Sequence, residues 1–204
     1  MITIAVKKIY RDALDIYKKH PQDSGFDVHA HNFVKVWRRP DRSSQDPETV
    51  LEEGIDPVNM VRLRGDSVSD IYQLPVTLYP LERVLVGTGL IVEASDNMSN
   101  PTFMFDFEAR PRSGKAIKEG LTVINTPGTI DYGYTGELGI CIVNLDTVPH
   151  TIKVGDGVAQ IVPKLIFPVT EVVYKEGSST RVGFTWDGCG YSSRADGAYG
   201  STGR

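Results

Sequence analysis

Apolar and polar residues alternate with a period of two in short runs along this chain. Ile2, Ile4 and Val6 form one such run, Val84 and Val86 another, and Phe103, Phe105 and Phe107 a third against Met104, Asp106 and Glu108. That is the period of a strand with one buried face. Denser apolar stretches at 121–124, 138–144, 158–162 and 165–174 are separated by Gly, Pro, Asn and Asp, the residues that turn a chain between strands. The pattern predicts an all-β sandwich or jelly roll. Helix is a minor component: a short one over 12–19, another over 47–53 with Asp46 as N-cap, Pro47 in the first turn and Gly54 beyond the end, and one or two turns after Ser113 that stop at Gly120.

Two regions break the pattern. From about 31 to 69 the chain mixes arginines (38, 39, 42, 62, 64) with acids (46, 48, 52, 53, 56) and shows little alternation, which reads as an inserted segment, most simply a solvated loop with a turn or two of helix. The last 24 residues hold six glycines and few apolar anchors. The expected organisation is one β domain over 1–180, carrying the insertion, and a flexible glycine-rich arm over 181–204.

Composition narrows the function. A chain of 204 residues buries one core, and a net charge of −4 argues against a general nucleic-acid binder, so phosphate recognition must be local. The two cysteines differ in setting, Cys141 within an apolar strand and Cys189 in the tail, which excludes a disulfide framework. The N-terminus lacks the apolar core of a secretion signal and no apolar run reaches membrane-spanning length, so a soluble cytoplasmic protein is expected.

The candidate chemistry lies in five short stretches. The most informative is IDYGYTGE at 130–137, flanked by LTVIN and LGICIVN, which reads as a hairpin with Asp131 and Tyr134 near its tip and Gly133 and Gly136 supplying permissive backbone. Arg112, Ser113 and Gly114 lead into a helical turn, a setting in which amides, a hydroxyl and a guanidinium suit an anion. Gln160 follows the turn Gly155-Asp156-Gly157, and Asp27 closes Asp-Ser-Gly-Phe-Asp at 23–27. The fifth stretch is the glycine-rich terminus itself. Taken singly, each has an ordinary reading: a turn aspartate, a cross-strand tyrosine, a plain helix cap, a solvent-facing glutamine. His29 and His31 share a face if their strand continues, but a zinc site needs further ligands at sensible spacing.

Taken in chain order, the five stretches resemble the five motifs of the homotrimeric dUTPase family (deoxyuridine triphosphate nucleotidohydrolase), and the resemblance spans most of the chain outside the insertion and 184–191. It implies a jelly roll assembled as a homotrimer with shared sites, hydrolysing dUTP to dUMP and pyrophosphate with Mg²⁺. It assigns Asp131 to orienting and activating the attacking water and Tyr134 to packing against the deoxyribose. Asn125 joins the same pocket. Arg112, Ser113, Gly114 and Gln160 fall to the phosphates, and Asp27 to a hydrated cation through water or to bracing a basic neighbour. In the tail, Arg194, Tyr199, Ser201 and Thr202 match substrate-binding positions, with departures: Ala195 and Ala198 stand where the family has glycine, Tyr199 where phenylalanine is usual, and Lys115 where leucine is common. Two other readings remain open. A dCTP deaminase shares the fold and would need an acid/base glutamate, for which Glu137 is the nearby acid, and a regulatory protein of the same fold would engage a protein partner through the insertion.

Overall fold

The computed structural model describes residues 4–38, 75–94, 104–166, 171–172 and 182–183. Among the described residues fourteen strands and one helix run in the order β1 (Ile4–Lys8), β2 (Phe26–His29), β3 (Asn32–Trp37), β4 (Val76–Leu78), β5 (Arg83–Gly87), β6 (Leu90–Ala94), β7 (Met104–Pro111), α1 (Ser113–Glu119), β8 (Leu121–Val123), β9 (Gly128–Ile130), β10 (Gly139–Asn144), β11 (His150–Ile152), β12 (Gly157–Ile166), β13 (Glu171–Val172) and β14 (Val182–Gly183). Two four-stranded antiparallel sheets, ordered β3-β5-β10-β8 and β2-β12-β7-β9, make the body; β1-β6, β4-β11 and β13-β14 are two-stranded. Non-consecutive neighbours in both large sheets are the mark of a jelly roll. One core lies between the large sheets, joining Phe33, Val84, Val86 and Ile140 to Val28, Phe105, Phe107 and Ile161. Alternation places Phe105, Phe107 and Ala109 of β7 in that core, and sends Asp106, Glu108 and Arg110 to the opposite face. Among the described residues no helix is long and apolar enough to cross a membrane.

Several expected elements shift. The segment 12–19 is not a helix: a turn at 11–12 leads into extended chain, where Tyr17 and Asp27 exchange backbone hydrogen bonds of 3.1 and 2.6 Å. Its apolar residues do not make one helical face, because Ala13 is buried while Leu14 is exposed. The runs at 158–162 and 165–174 contribute to one ten-residue strand, β12. Pro163 fits there because β2 pairs only as far as Ile161, leaving one side of β12 without a β2 partner. The supposed insertion starts later than its composition suggests, since Asn32–Trp37 form β3 against β5. A bulge between Phe33 and Lys35 interrupts the period of two and hides this strand from a pattern reading. The helix expected over 47–53 and the tail beyond 183 lie outside the described residues.

The two described ends that flank residues 39–74 are clasped together. Arg38 Nη1 donates to the Thr77 carbonyl at 2.8 Å and to Glu82 Oε2 at 3.0 Å, and the same carboxylate oxygen accepts the Tyr79 N–H at 3.1 Å. Glu82 is fully buried. A buried carboxylate needs its donors, so Arg38→Ala is expected to lower stability by about 2–3 kcal/mol, below the usual range for a fully buried pair because Arg38 is partly exposed. Urea unfolding monitored by Trp fluorescence measures the difference.

Candidate active site

The site is built around Arg112. This residue sits at the N-cap of α1 in extended conformation (φ −79°, ψ 124°) with no side-chain cap, so Ser113 is the first helical residue and not the cap expected from its sequence. The guanidinium turns back into its own chain. Nη2 pairs with Asp27 Oδ2 of β2 at 3.0 Å, and Nη1 donates to the Gly157 carbonyl of β12 at 3.2 Å. A methyl group on Gly157 would collide with that guanidinium in its present position. Three sequence stretches far apart in the chain thus meet at one cation.

Gln160 completes this cluster. In register it stands between Asp27 of β2 and Arg110 of β7. Its amide Nε2 donates to the Pro111 carbonyl at 3.1 Å, and its Oε1 lies against Gly25 so closely that a Cβ there would overlap it. The half-buried glutamine therefore ties the first and second stretches together. Beside it a cleft of about 230 Å³ is lined by Lys19, Ser24, Gly25, Asp27, Arg110 and Gln160. Ser113 and Gly114 are exposed next to Arg112, and among the described residues a Cβ on Gly114 would meet nothing within 4 Å. Gly120 ends α1 in the left-handed region at φ 61°, as the stop signal predicted.

His29 neighbours the cluster. Burial holds its imidazole below the ordinary value, opposed by Asp27 and reinforced by Arg112. His31 faces elsewhere, stacked on Tyr10 at 4.5 Å and 3.1 Å from Asp12. Among the described residues no three His, Cys, Asp or Glu side chains gather as metal ligands.

Asn125, Asp131 and Tyr134 lie in a second place. The strands on either side of them, β8 and β10, do pair with each other, but the link 124–138 is not a tight hairpin. Through β9 it crosses to the other sheet and pairs with β7. Asn125 is exposed and its amide lies against Gly128, across a cis Thr126–Pro127 bond. Asp131 follows β9, exposed, and its carbonyl accepts the Tyr134 N–H at 3.0 Å in a turn that Gly133 closes at φ 81°. Tyr134 folds over Gly136, where a Cβ would overlap the ring, and its hydroxyl donates to the Glu137 carbonyl at 2.9 Å. Glu137 points away from this turn, its carboxylate accepting the Gly89 N–H at 2.7 Å.

The distance between the two places follows from the ladder. Phe107 pairs with Ile130, so Asp131 falls opposite Asp106, while Arg112 stands six residues further along the same chain. At about 3.3 Å per residue this puts Asp131 roughly 20 Å from Arg112 along β7. One feature of that strand escaped the sequence. Its outer face carries an ionic row in which Glu108 is held by Arg110 at 2.6 Å and by Lys164 at 3.1 Å. Arg110 first, then Lys164, keep the Glu108 carboxyl below the usual carboxylate range. The alternation marks these residues as outward but carries no sign that Asp106 and Glu108 are buried there. Arg194, Tyr199, Ser201 and Thr202 lie outside the described residues.

Comparison with known proteins agrees with this architecture. The deoxyuridine 5'-triphosphate nucleotidohydrolase of Wolbachia pipientis subsp. Culex pipiens (strain wPip) is 40% identical over 129 residues, 63% of this chain and 73% of that one. Its counterpart in Wolbachia pipientis wMel is 43% identical over 127 residues, 62% and 72% of the two chains. Among solved structures, the dUTPase from phage phi11 of S. aureus, described as carrying a species-specific insert, superposes with a TM-score of 0.55 at 19% identity, covering 87% of this chain and 99% of that one. The Staphylococcus bacteriophage 80alpha dUTPase matches equally, at 0.55 and 18% identity over the same shares. At such identities the structures attest the fold. The dUTPase family model matches residues 65–186, and with these relatives it establishes that the chain belongs to the dUTPase family.

Proposed function

We propose that this protein is a dUTP diphosphatase that hydrolyses dUTP to dUMP and pyrophosphate with Mg²⁺, Asp131 orienting and activating the attacking water. The observation that carries the reading is the convergence of Asp27, Arg112, Gly157 and Gln160, drawn from three distant stretches, beside the exposed Ser113 and Gly114. Serine hydroxyl and first-turn amides supply donors for phosphate oxygens. Arg112 holds these elements in place while adding positive charge, which accords with bracing by Asp27. Attack at the α-phosphate needs an in-line water and a carboxylate to take its proton, and Asp131 is the acid of the matching motif. Tyr134 forms a wall for the sugar, and the turn's backbone faces the uracil edge. Glu137 is engaged by backbone at Gly89, which speaks against a deaminase using it on a cytosine ring.

A Mg²⁺ ion fits the donor set as a hydrated ion held chiefly by substrate oxygens, for which a dedicated cage is unnecessary. Asp27 gives one carboxylate oxygen to Arg112, and the other would be available to a water of the ion. When bound, the ion neutralises charge on the phosphates. A mutant of the phage phi11 enzyme is itself described as coordinating a structural Mg(II) ion.

The separation along β7 bears on assembly. A triphosphate cannot bridge roughly 20 Å between Arg112 and Asp131 of one chain while reacting at its α-phosphate. The reading therefore takes a homotrimer in which the phosphate cradle of one copy faces the Asp131 turn of another. The Arg194–Thr202 arm would close over the nucleotide.

The deciding experiment is pyrophosphate release measured with dUTP, dTTP, dCTP and UTP, where dUTP alone is expected to turn over efficiently; ammonia release from dCTP would instead favour the deaminase. Asp131→Asn should lower kcat on the order of 10²- to 10⁴-fold with nucleotide binding retained. Two inactive proteins, Asp131→Asn and a Ser113→Ala/Gln160→Ala variant, co-refolded in equal amounts, should regain activity at one site in each mixed trimer, about a quarter of all sites; sites built within one chain would regain none. Gly157→Ala, which pushes a methyl group into the Arg112 guanidinium, should destabilise the protein by about 1–3 kcal/mol and raise KM for dUTP; thermal melts and initial rates measure both.

A further inference from the structure

The β7–β9 ladder pairs Ala109 with Gly128, Glu108 with Thr129 and Phe107 with Ile130, and its next step sets Asp106 against Asp131. Opposed residues of an antiparallel pair share a face, with Cβ atoms about 4.5–5.5 Å apart. On its other flank Asp106 is in register with Lys164 of β12, but the Lys164 ammonium is drawn to Glu108 Oε1 at 3.1 Å. Asp106 is only 8% exposed, and its Oδ1 has no hydrogen-bond partner among the described residues. A buried carboxylate oxygen without a donor is costly unless the carboxyl keeps its proton.

The groups facing Asp106 favour that proton. Burial above all raises its pKa from the ordinary value; Lys164 from β12 opposes the shift, while Glu108 on β7, itself paired with Arg110, and Asp131 after β9 add to it. Two carboxyl groups on one face retain a proton that either alone would release. Asp131 begins a turn, whereas Asp106 lies inside β7, paired with Lys164 of β12 and next to the residues that β9 pairs, so a bond between them fastens the turn to a strand.

We propose that Asp106 is a positioning residue for hydrolysis: a proton held by its buried carboxyl group bonds the Asp131 carboxylate and fixes its aim at the attacking water. The assignment rests on Asp131 being the base. Asparagine at 106 carries a permanent N–H donor of the same shape, and alanine carries none.

Three variants of the full chain test this. Asp106→Asn should keep kcat within about threefold of the parent, since its amide replaces the donor, and should lose any fall of kcat caused by Asp106 giving up its proton as pH rises. Asp106→Ala should lower kcat on the order of 10²-fold, the scale of a misaimed reacting group, with KM for dUTP unchanged. In ¹³C NMR of carboxyl-labelled aspartates, the Asp106 titration midpoint should fall when Asp131 becomes Asn, a readout that needs neither turnover nor a change at Asp106. Full kcat in Asp106→Ala, equal losses in the Asn and Ala variants, or an unmoved midpoint with Asp131→Asn inactive would each overturn the proposal alone. An Asp131→Asn protein with the parent's kcat would overturn the base assignment, and the positioning role with it.

Discussion

The guanidinium of Arg112 is the contact on which the arrangement of this site depends. A planar cation with donors in a fixed fork can hold a carboxylate on one side and a carbonyl on another without distortion. Here it holds Asp27 of β2 and the Gly157 carbonyl that opens β12, while its own backbone starts α1. Lysine, a point charge on a flexible stem, does not define two directions at once. The register of the sheet then does the rest: with β2, β12 and β7 side by side, Gln160 falls between Asp27 and Arg110 and seals Gly25 to Pro111. The geometry of the cradle follows from one side chain and one ladder.

The same ladder separates what it does not join. A strand is nearly inextensible, so residues six apart on β7 stand far from each other whatever the loops do. Asp131, tied by β9 to the Asp106 end, is kept from the Arg112 end of its own chain. On the proposed reading the two ends of the strand are half-sites, and association of copies is the means of joining them. Assembly and chemistry would then be one requirement.

Much of the fold is legible in the sequence because β5, β7, β8 and β10 either alternate cleanly or run continuously apolar between turn residues. What escaped did so for physical reasons. The bulge in β3 breaks its period, and Pro163 reads as a stop although β12 lacks a β2 partner at that point. The stretch around Asp131 looks like a simple hairpin because β8 and β10 do pair, and only the tertiary structure shows β9 crossing to the other sheet. For the site, residue types and order reveal which stretches matter but not what each side chain faces. Arg112 reads as a ligand for anions, and the structure shows it bracing Asp27 and Gly157, while Asp106 reads as solvated because an outward position on a strand carries no sign of its burial.

The clasp formed by Arg38, Thr77 and Glu82 has a bearing on how such a chain changes over time. Because it binds Arg38, just before residues 39–74, to Thr77 and Glu82, just after them, the two described ends that flank that segment are held together. The entropy of closing a flexible loop grows only with the logarithm of its length, about 0.6 kcal/mol for each doubling. A segment mounted there can lengthen, shorten or be exchanged at small thermodynamic cost to the strands around it. Glu82, buried in this clasp, thereby makes one edge of the jelly roll tolerant of new sequence.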